Sequence, residues 1–186
     1  MGGYHHGRLR ESLITEGLLL LAESPQGDIS LRALARRVGV TPNAAYRHFS
    51  DKGSLLVALA AEGFRQLQTA QQRAARDAPP GQMLSLSGRA YLRFAWENPA
   101  LFRLMFGAHL ADRDDAELRA AAAEAYQALR RGVATAKDAQ AEAVDVDAAT
   151  LRAWGLVHGL SHLMLDGQLD FMPLGPLAAA EQVLGL

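Results

Sequence analysis

The sequence predicts an all-α protein of about nine helices, and three observations predict it. Apolar residues recur every three or four positions, as at Leu9, Leu13, Ile14, Leu18 and Leu21. That spacing lays one face of a helix against a core. Helix start and stop signals divide the chain: Ser30, Thr41-Pro42, Ser50-Asp51 and Asn98-Pro99 open segments, while Gly39, Pro79-Pro80-Gly81 and Asp166-Gly167 close them. No segment alternates apolar and polar residues with strand-forming side chains.

The first helix spans the Leu9–Leu21 pattern and stops at Ser24-Pro25-Gln26-Gly27. Ser30 reads as the N-cap of a helix from Leu31 to Val38, closed by a tight turn at Gly39-Val40. Thr41 is a second N-cap, with Pro42 at the first helical position, where its missing N–H costs nothing. This third helix is short and is expected to end near Phe49. Ser50-Asp51 caps a fourth, running to about Asp77. A fifth covers roughly Gln82 to Glu97, and Asn98-Pro99 opens a sixth, to about His109. An Ala-rich seventh is expected from about Asp114 to Gln140. The group Asp112, Asp114 and Asp115 suits the positive end of its dipole. Asp145 or Asp147 starts an eighth, ending at Asp166-Gly167, and a short ninth follows Pro173 and Pro176.

With 49% hydrophobic and 21% charged residues, the 186-residue chain is of globular rather than disordered type. Its length fits one domain, or a small module joined to a larger one. The absence of cysteine excludes a disulfide scaffold, a thiol nucleophile and cysteine-ligated zinc. The N-terminal MGGYHHGRLRESL has no apolar signal core, so a cytoplasmic location is expected. The charge-free stretch 153–165 has 13 residues, too few to span a bilayer, so no membrane partner is expected.

The formal net charge is −1, but it is unevenly spread. Residues 29–53 carry Arg32, Arg36, Arg37, Arg47 and Lys52 against Asp51, a local +4. Residues 54–186 carry twelve basic and fifteen acidic groups, a net −3. A basic module therefore precedes an acidic body, and the basic part is the part suited to phosphates.

Residues 31–50 read LRALARRVGVTPNAAYRHFS. A helix-turn-helix needs a small residue where its helices cross and, four positions on, one that permits a sharp turn. Ala35 and Gly39 stand there. Leu34, Val38, Val40 and Ala45 occupy the fastening positions. The exposed side of the second helix then offers Thr41, Asn43, Tyr46, Arg47 and His48, donors and acceptors suited to base edges and phosphates. Lys52 opens the next helix, where backbone N–H groups and its ammonium suit a phosphate.

YHHGRLRESL followed by ISLRALARRVGVTPNAAYRHFSDKGSLLVAL resembles the DNA-binding domain of the TetR family of transcriptional regulators, over about residues 4–60. Tyr46-x-x-Phe49-x-x-Lys52 and Gly39-Val40 carry the resemblance. It implies phosphate contacts from Tyr46, His48 and Lys52, and places Thr41, Pro42, Asn43 and Arg47 nearest the bases. It implies a core role for Phe49. Arg8 and Arg10 are further candidates for the DNA backbone. The sequence departs from the family at Gly53, often acidic, and at Gly17, usually a better helix former. The resemblance also implies a division into a DNA-binding domain, 1–53, and an effector-binding and dimerisation domain, 54–186.

WENPALFRLMFG at 96–107 and Trp154, His158 and Gly159 resemble the TetR subgroup named for a Trp-His-Gly pattern. Helices five and six concentrate large side chains, among them Tyr91, Phe94 and His109. Trp96, Phe102, Met105, Phe106, Trp154 and His158 are the candidates for lining an effector pocket, expected to take an apolar or weakly polar ligand. His158 and His162 share a helical face and with His109 are the nearest approach to a metal set, but no HExxH pattern is present; neither metal nor cofactor is expected. No phosphate loop or nucleophile elbow is present, so no enzymatic activity is expected. Gly155 and Gly159 let another helix approach closely. By the resemblance, residues 147–166 and 177–185 would form a homodimer interface. The expected function is a repressor that binds a palindromic double-stranded DNA operator as a homodimer and leaves it on binding a small-molecule effector. The alternative is a DNA-binding dimer without such an effector, controlled by a protein partner.

Overall fold

The computed structural model describes residues 6–23, 29–79, 81–107, 110, 114–138 and 145–185. Within them lie α1 (His6–Glu23), α2 (Leu31–Val38), α3 (Pro42–Tyr46), α4 (Lys52–Ala75) and α5 (Met83–Glu97). They continue as α6 (Pro99–Met105), α7 (Ala116–Asp138), α8 (Val146–Leu165) and α9 (Pro176–Gln182). The described residues contain no strand. The stop at residues 24–27, together with His109 and Asp112, lies outside the described residues.

Most helix starts are held by the caps that the sequence announces. Ser30 Oγ accepts from Ala33 N–H and Thr41 Oγ1 from Ala44 N–H. Asp51 and Ser54 cap each other: Ser54 N–H donates to Asp51 Oδ1 at 2.7 Å, and Asp51 N–H to Ser54 Oγ at 3.3 Å. That reciprocal box holds the start of α4 despite Gly53. Asp115 accepts from Leu118 N–H to open α7, and Asp145 from Asp147 and Ala148 N–H to open α8. Asp114 instead pairs with Arg119.

Two helices end earlier than the periodicity suggests. α3 stops at Tyr46 because its last turn tightens: His48 N–H and Phe49 N–H both donate to the Ala45 carbonyl, at 3.0 Å each. α6 stops at Met105, where Gly107 N–H turns back to the Leu104 carbonyl.

The chain forms two compact units. The first combines residues 1–63 with 99–121, and the second 64–98 with 122–186. In the first, Leu13, Leu34, Leu55, Leu59 and Phe102 are fully buried, with Leu21 and Phe49 nearly so. Gly17 has a packing reason here: a Cβ on it would stand 3.0 Å from the Leu59 side chain. Gly63 is tighter, since its Cβ would meet Met105 Sδ at 2.7 Å. In the second unit α5, α8 and α9 pack together, with Leu92, Ala95, Val133 and Met164 inside. Arg130 of α7 pairs with Asp147 of α8 at 2.6 Å in that unit.

Candidate nucleic-acid interface

The turn between α2 and α3 is built by one glycine. Gly39 has φ 77°, in the left-handed region that L side chains rarely adopt. This lets Gly39 N–H bond the Arg36 carbonyl while Val40 N–H bonds the Ala35 carbonyl at 2.9 Å. Those two bonds satisfy carbonyls that the end of α2 would leave open. The chain then turns at once into the Thr41 cap and Pro42. Ala35 and Ala45, both fully buried, let the two short helices close on each other. Val38 and Val40 are half-buried at the seam.

α3 and the turn after it therefore have a fixed inside and outside. Ala45 and Phe49, four apart, face the core. Thr41, Pro42, Asn43 and Arg47 are exposed, and His48 is half-buried. Tyr46 is 44% exposed, a large aromatic ring held at the surface beside Arg47. Lys52, in the first turn of α4, is also exposed. The seven sequence-predicted residues thus stand on or beside one short helix.

The basic residues of this unit have different roles. Arg37 reaches across to α1, where Nε pairs with Glu16 at 2.7 Å and the terminal nitrogens hold Glu23 in a fork. The hydrogen bonds that Arg37 donates to Glu23 and Glu16 raise its pKa further, and those to Glu23 hold the Glu23 carboxyl below its ordinary range. One charge of the local +4 is therefore neutralised inside the unit. Arg10 is likewise engaged. It pairs with Glu117 at 2.7 Å, and its guanidinium carbon stands 5.7 Å from the Phe49 ring centroid. This tie, between residues 107 apart, has no local sequence signal.

The six effector candidates are divided between the two units. Phe102, Met105 and Phe106 belong to the first unit; Trp96, Trp154 and His158 belong to the second. Phe102 and Met105 are buried, and the Phe102 and Phe106 rings lie 5.0 Å apart. Trp96 is 43% exposed. Trp154 and His158 do meet, with ring centroids 5.9 Å apart. Their shared partner is Tyr91, which the sequence marks only as part of the aromatic cluster. Tyr91 Oη lies 2.9 Å from His158 Nδ1. Burial raises the Tyr91 pKa, and a side-chain hydrogen bond with Trp154, whose indole N–H can only donate, partly offsets the rise. Burial and then the His162 ring 4.7 Å away lower the His158 pKa. The polar groups thus form a chain from Trp154 through Tyr91 Oη to His158 Nδ1, in which the imidazole tautomer sets the donor of the second bond. Among the described residues no group of three or more metal-capable side chains gathers. No described helix is long and apolar enough to cross a membrane.

The second unit also contains a cavity of about 320 Å3 between the C-terminal half of α4, the start of α5 and the end of α7. None of the six candidates lines it. Its polar lining includes Gln68, Gln71 and Gln72, none of them among the candidates named from the sequence. Their i, i+3, i+4 spacing is the signal that puts them on one face.

Two family models match the sequence. One, described as bacterial regulatory proteins of the tetR family, matches residues 13–59. The other, the tetracyclin repressor-like C-terminal domain, matches residues 84–185. Among solved structures, a protein with unknown function from Rhodococcus sp. RHA1 is 31% identical, over 99% of this chain and 97% of that one, with a TM-score of 0.82. A transcriptional regulator of the TetR/AcrR family from Thermobifida fusca shares the fold, with a TM-score of 0.70 at 20% identity over 95% and 94% of the two chains. So does a TetR family transcriptional regulator from Thermus thermophilus, with a TM-score of 0.66 at 21% identity over 94% and 92%. The helix-turn-helix geometry and the two family matches together establish that the chain belongs to the TetR family of bacterial transcriptional regulators.

Proposed function

We propose that this regulator is a repressor that binds a palindromic operator as a homodimer and is released by a small, largely apolar effector. The observation that carries the reading is the outward row of Thr41, Pro42, Asn43, Tyr46 and Arg47 on a short helix whose inner side is locked by Ala45 and Phe49. Arg47 and Asn43 are the residue types that read guanine and adenine edges. Tyr46, His48 and Lys52 hold phosphates. The division of labour is 1–53 for DNA and 54–186 for effector and dimerisation.

One short helix reads only a few base pairs, so a second head is needed. Two heads about 34–36 Å apart reach successive major grooves on one side of the duplex. The dimer is supported by an apolar stripe on α8. Leu151, Gly155, Gly159 and Leu163 recur every four residues, and the two leucines are 56% and 44% exposed. A Cβ on either glycine would meet nothing within 4 Å, so a partner helix has room to approach closely. Phe171, Leu174 and Val183 are more than half exposed in the same unit. Apolar surface of this kind marks an interface. An effector then acts by binding one arrangement of the two heads better than another, and shifts the balance only by that difference in affinity.

Selection of bound sequences from a random DNA pool, at stated salt, tests the reading. The expected result is a palindrome whose half-sites are one helical turn apart, bound by a species of dimer mass in light scattering. Recovery of a single half-site bound by a monomer would overturn it.

A further inference from the structure

We infer that the cavity between α4, α5 and α7 is the effector site, and that its ligand is a small amphipathic monocarboxylate. This deepens the effector reading above and rests on it. Three helix faces converge on the cavity at helical spacing: Gln68, Gln71 and Gln72 from α4, Ser87 from α5, and Arg131 and Gly132 from α7. The volume, about 320 Å3, lies at the lower end of the range for small-ligand pockets, and the site is open to solvent, with all its lining residues half-buried or exposed.

The lining sets the ligand's chemistry. Leucine, alanine and methionine side chains provide an apolar wall for a short chain or a single ring. Arg131 supplies the one cation among the lining residues, and no carboxylate is present among them to cancel it. Gln71 is already turned across the site, with its Nε2 donating to Ser87 Oγ at 3.1 Å. Gln68 and Gln72 make no side-chain hydrogen bond among the described residues, which leaves carboxamide donors for an oxyanion. A guanidinium and carboxamides in the lining, with an apolar remainder, suit a carboxylate joined to an alkyl or phenyl group. A dication would meet Arg131, and a purely apolar molecule would strand the carboxamides.

The test uses octanoate and phenylacetate as probes, with octanamide and phenylacetamide as neutral counterparts. Binding to the full chain is followed by calorimetry, and operator affinity is measured with and without each probe. Both acids are expected to bind saturably, about tenfold tighter than their amides. Arg131→Gln should remove that preference. Gly132→Leu should abolish binding, because Gly132 lines the cavity and a Cβ there meets nothing within 4 Å. Leucine is also the better helix former, so the variant folds, as thermal unfolding will verify. No saturable binding of either acid at millimolar concentration would overturn the inference, as would equal binding by the parent and Gly132→Leu. Binding that Gly132→Leu abolishes, with no change in the parent's operator affinity, supports the site and defeats the effector reading. An operator response that persists in Gly132→Leu defeats the site and leaves the effector reading standing.

Discussion

The helix-turn-helix and the α5–α8 packing use polar side chains in opposite directions. In the first, Thr41, Asn43, Tyr46 and Arg47 point outward from an apolar seam, and what holds them is local: a cap at Thr41, a left-handed glycine at position 39 and a tightened turn at Ala45. In the second, the buried Tyr91 meets the half-buried Trp154 and His158, and what holds them is a contact between residues 67 apart. A local device can be changed one residue at a time without loss of the fold. An inward chain of hydrogen bonds cannot lose one member without leaving another unpaired.

That contrast can be broken in graded steps. The largest effect is expected at Phe49→Ala, which removes a ring 3% exposed from beneath α3. It should cost about 3–5 kcal/mol of stability, measured by urea unfolding, and abolish operator binding. Unchanged stability would show that the seam does not depend on that ring. Arg47→Ala should weaken operator binding by about 1–3 kcal/mol, and Tyr46→Ala less, both with an unchanged unfolding midpoint. Binding equal to the parent's in both variants would remove α3 from the interface. Tyr91→Phe should destabilise by about 1–3 kcal/mol, because the Trp154 N–H and His158 Nδ1 lose their common partner inside the second unit. A neutral result would mean that these groups find other partners.

The smallest effect expected is one of pH. His158 titrates below its ordinary value of 6.5, so the unfolded chain takes up a proton there before the folded one does. Stability is therefore full above about pH 6.5 and declines as pH falls from there toward the folded pKa. The decline between pH 7.5 and 5.5, read from urea midpoints, should shrink in His158→Asn. A stability that rises on acidification in the parent alone would reverse the sign of this argument.

The fold was legible in the sequence to the degree that its signals are short-range. Ser30, Thr41, Asp51 and Asp145 each cap the helix they precede, since a cap needs only the N–H groups two or three residues on. The ends were harder. Nothing in the apolar pattern distinguishes α3 ending at Tyr46 from one ending at Phe49, because a tightened turn keeps Phe49 buried. The outward row of α3 was legible because buried and exposed positions recur at helical spacing along it. The aromatic cluster was not, because Trp96, Phe102 and Trp154 are alike in type and differ only in what they pack against.

By itself, then, the sequence determined the helices, the turn at Gly39 and the basic side of the first 53 residues, all consequences of neighbours within about four positions. Only the tertiary structure decided which charges remain outward. It ties Arg37 to Glu16 and Glu23, and Arg10 to Glu117, so that neither is a plain surface cation. It also assigned Phe102 and Trp154 to different units and brought three glutamines of α4 to a cavity beside Ser87 and Arg131. Those outcomes depend on which distant helix a side chain meets, and helical periodicity carries no record of that.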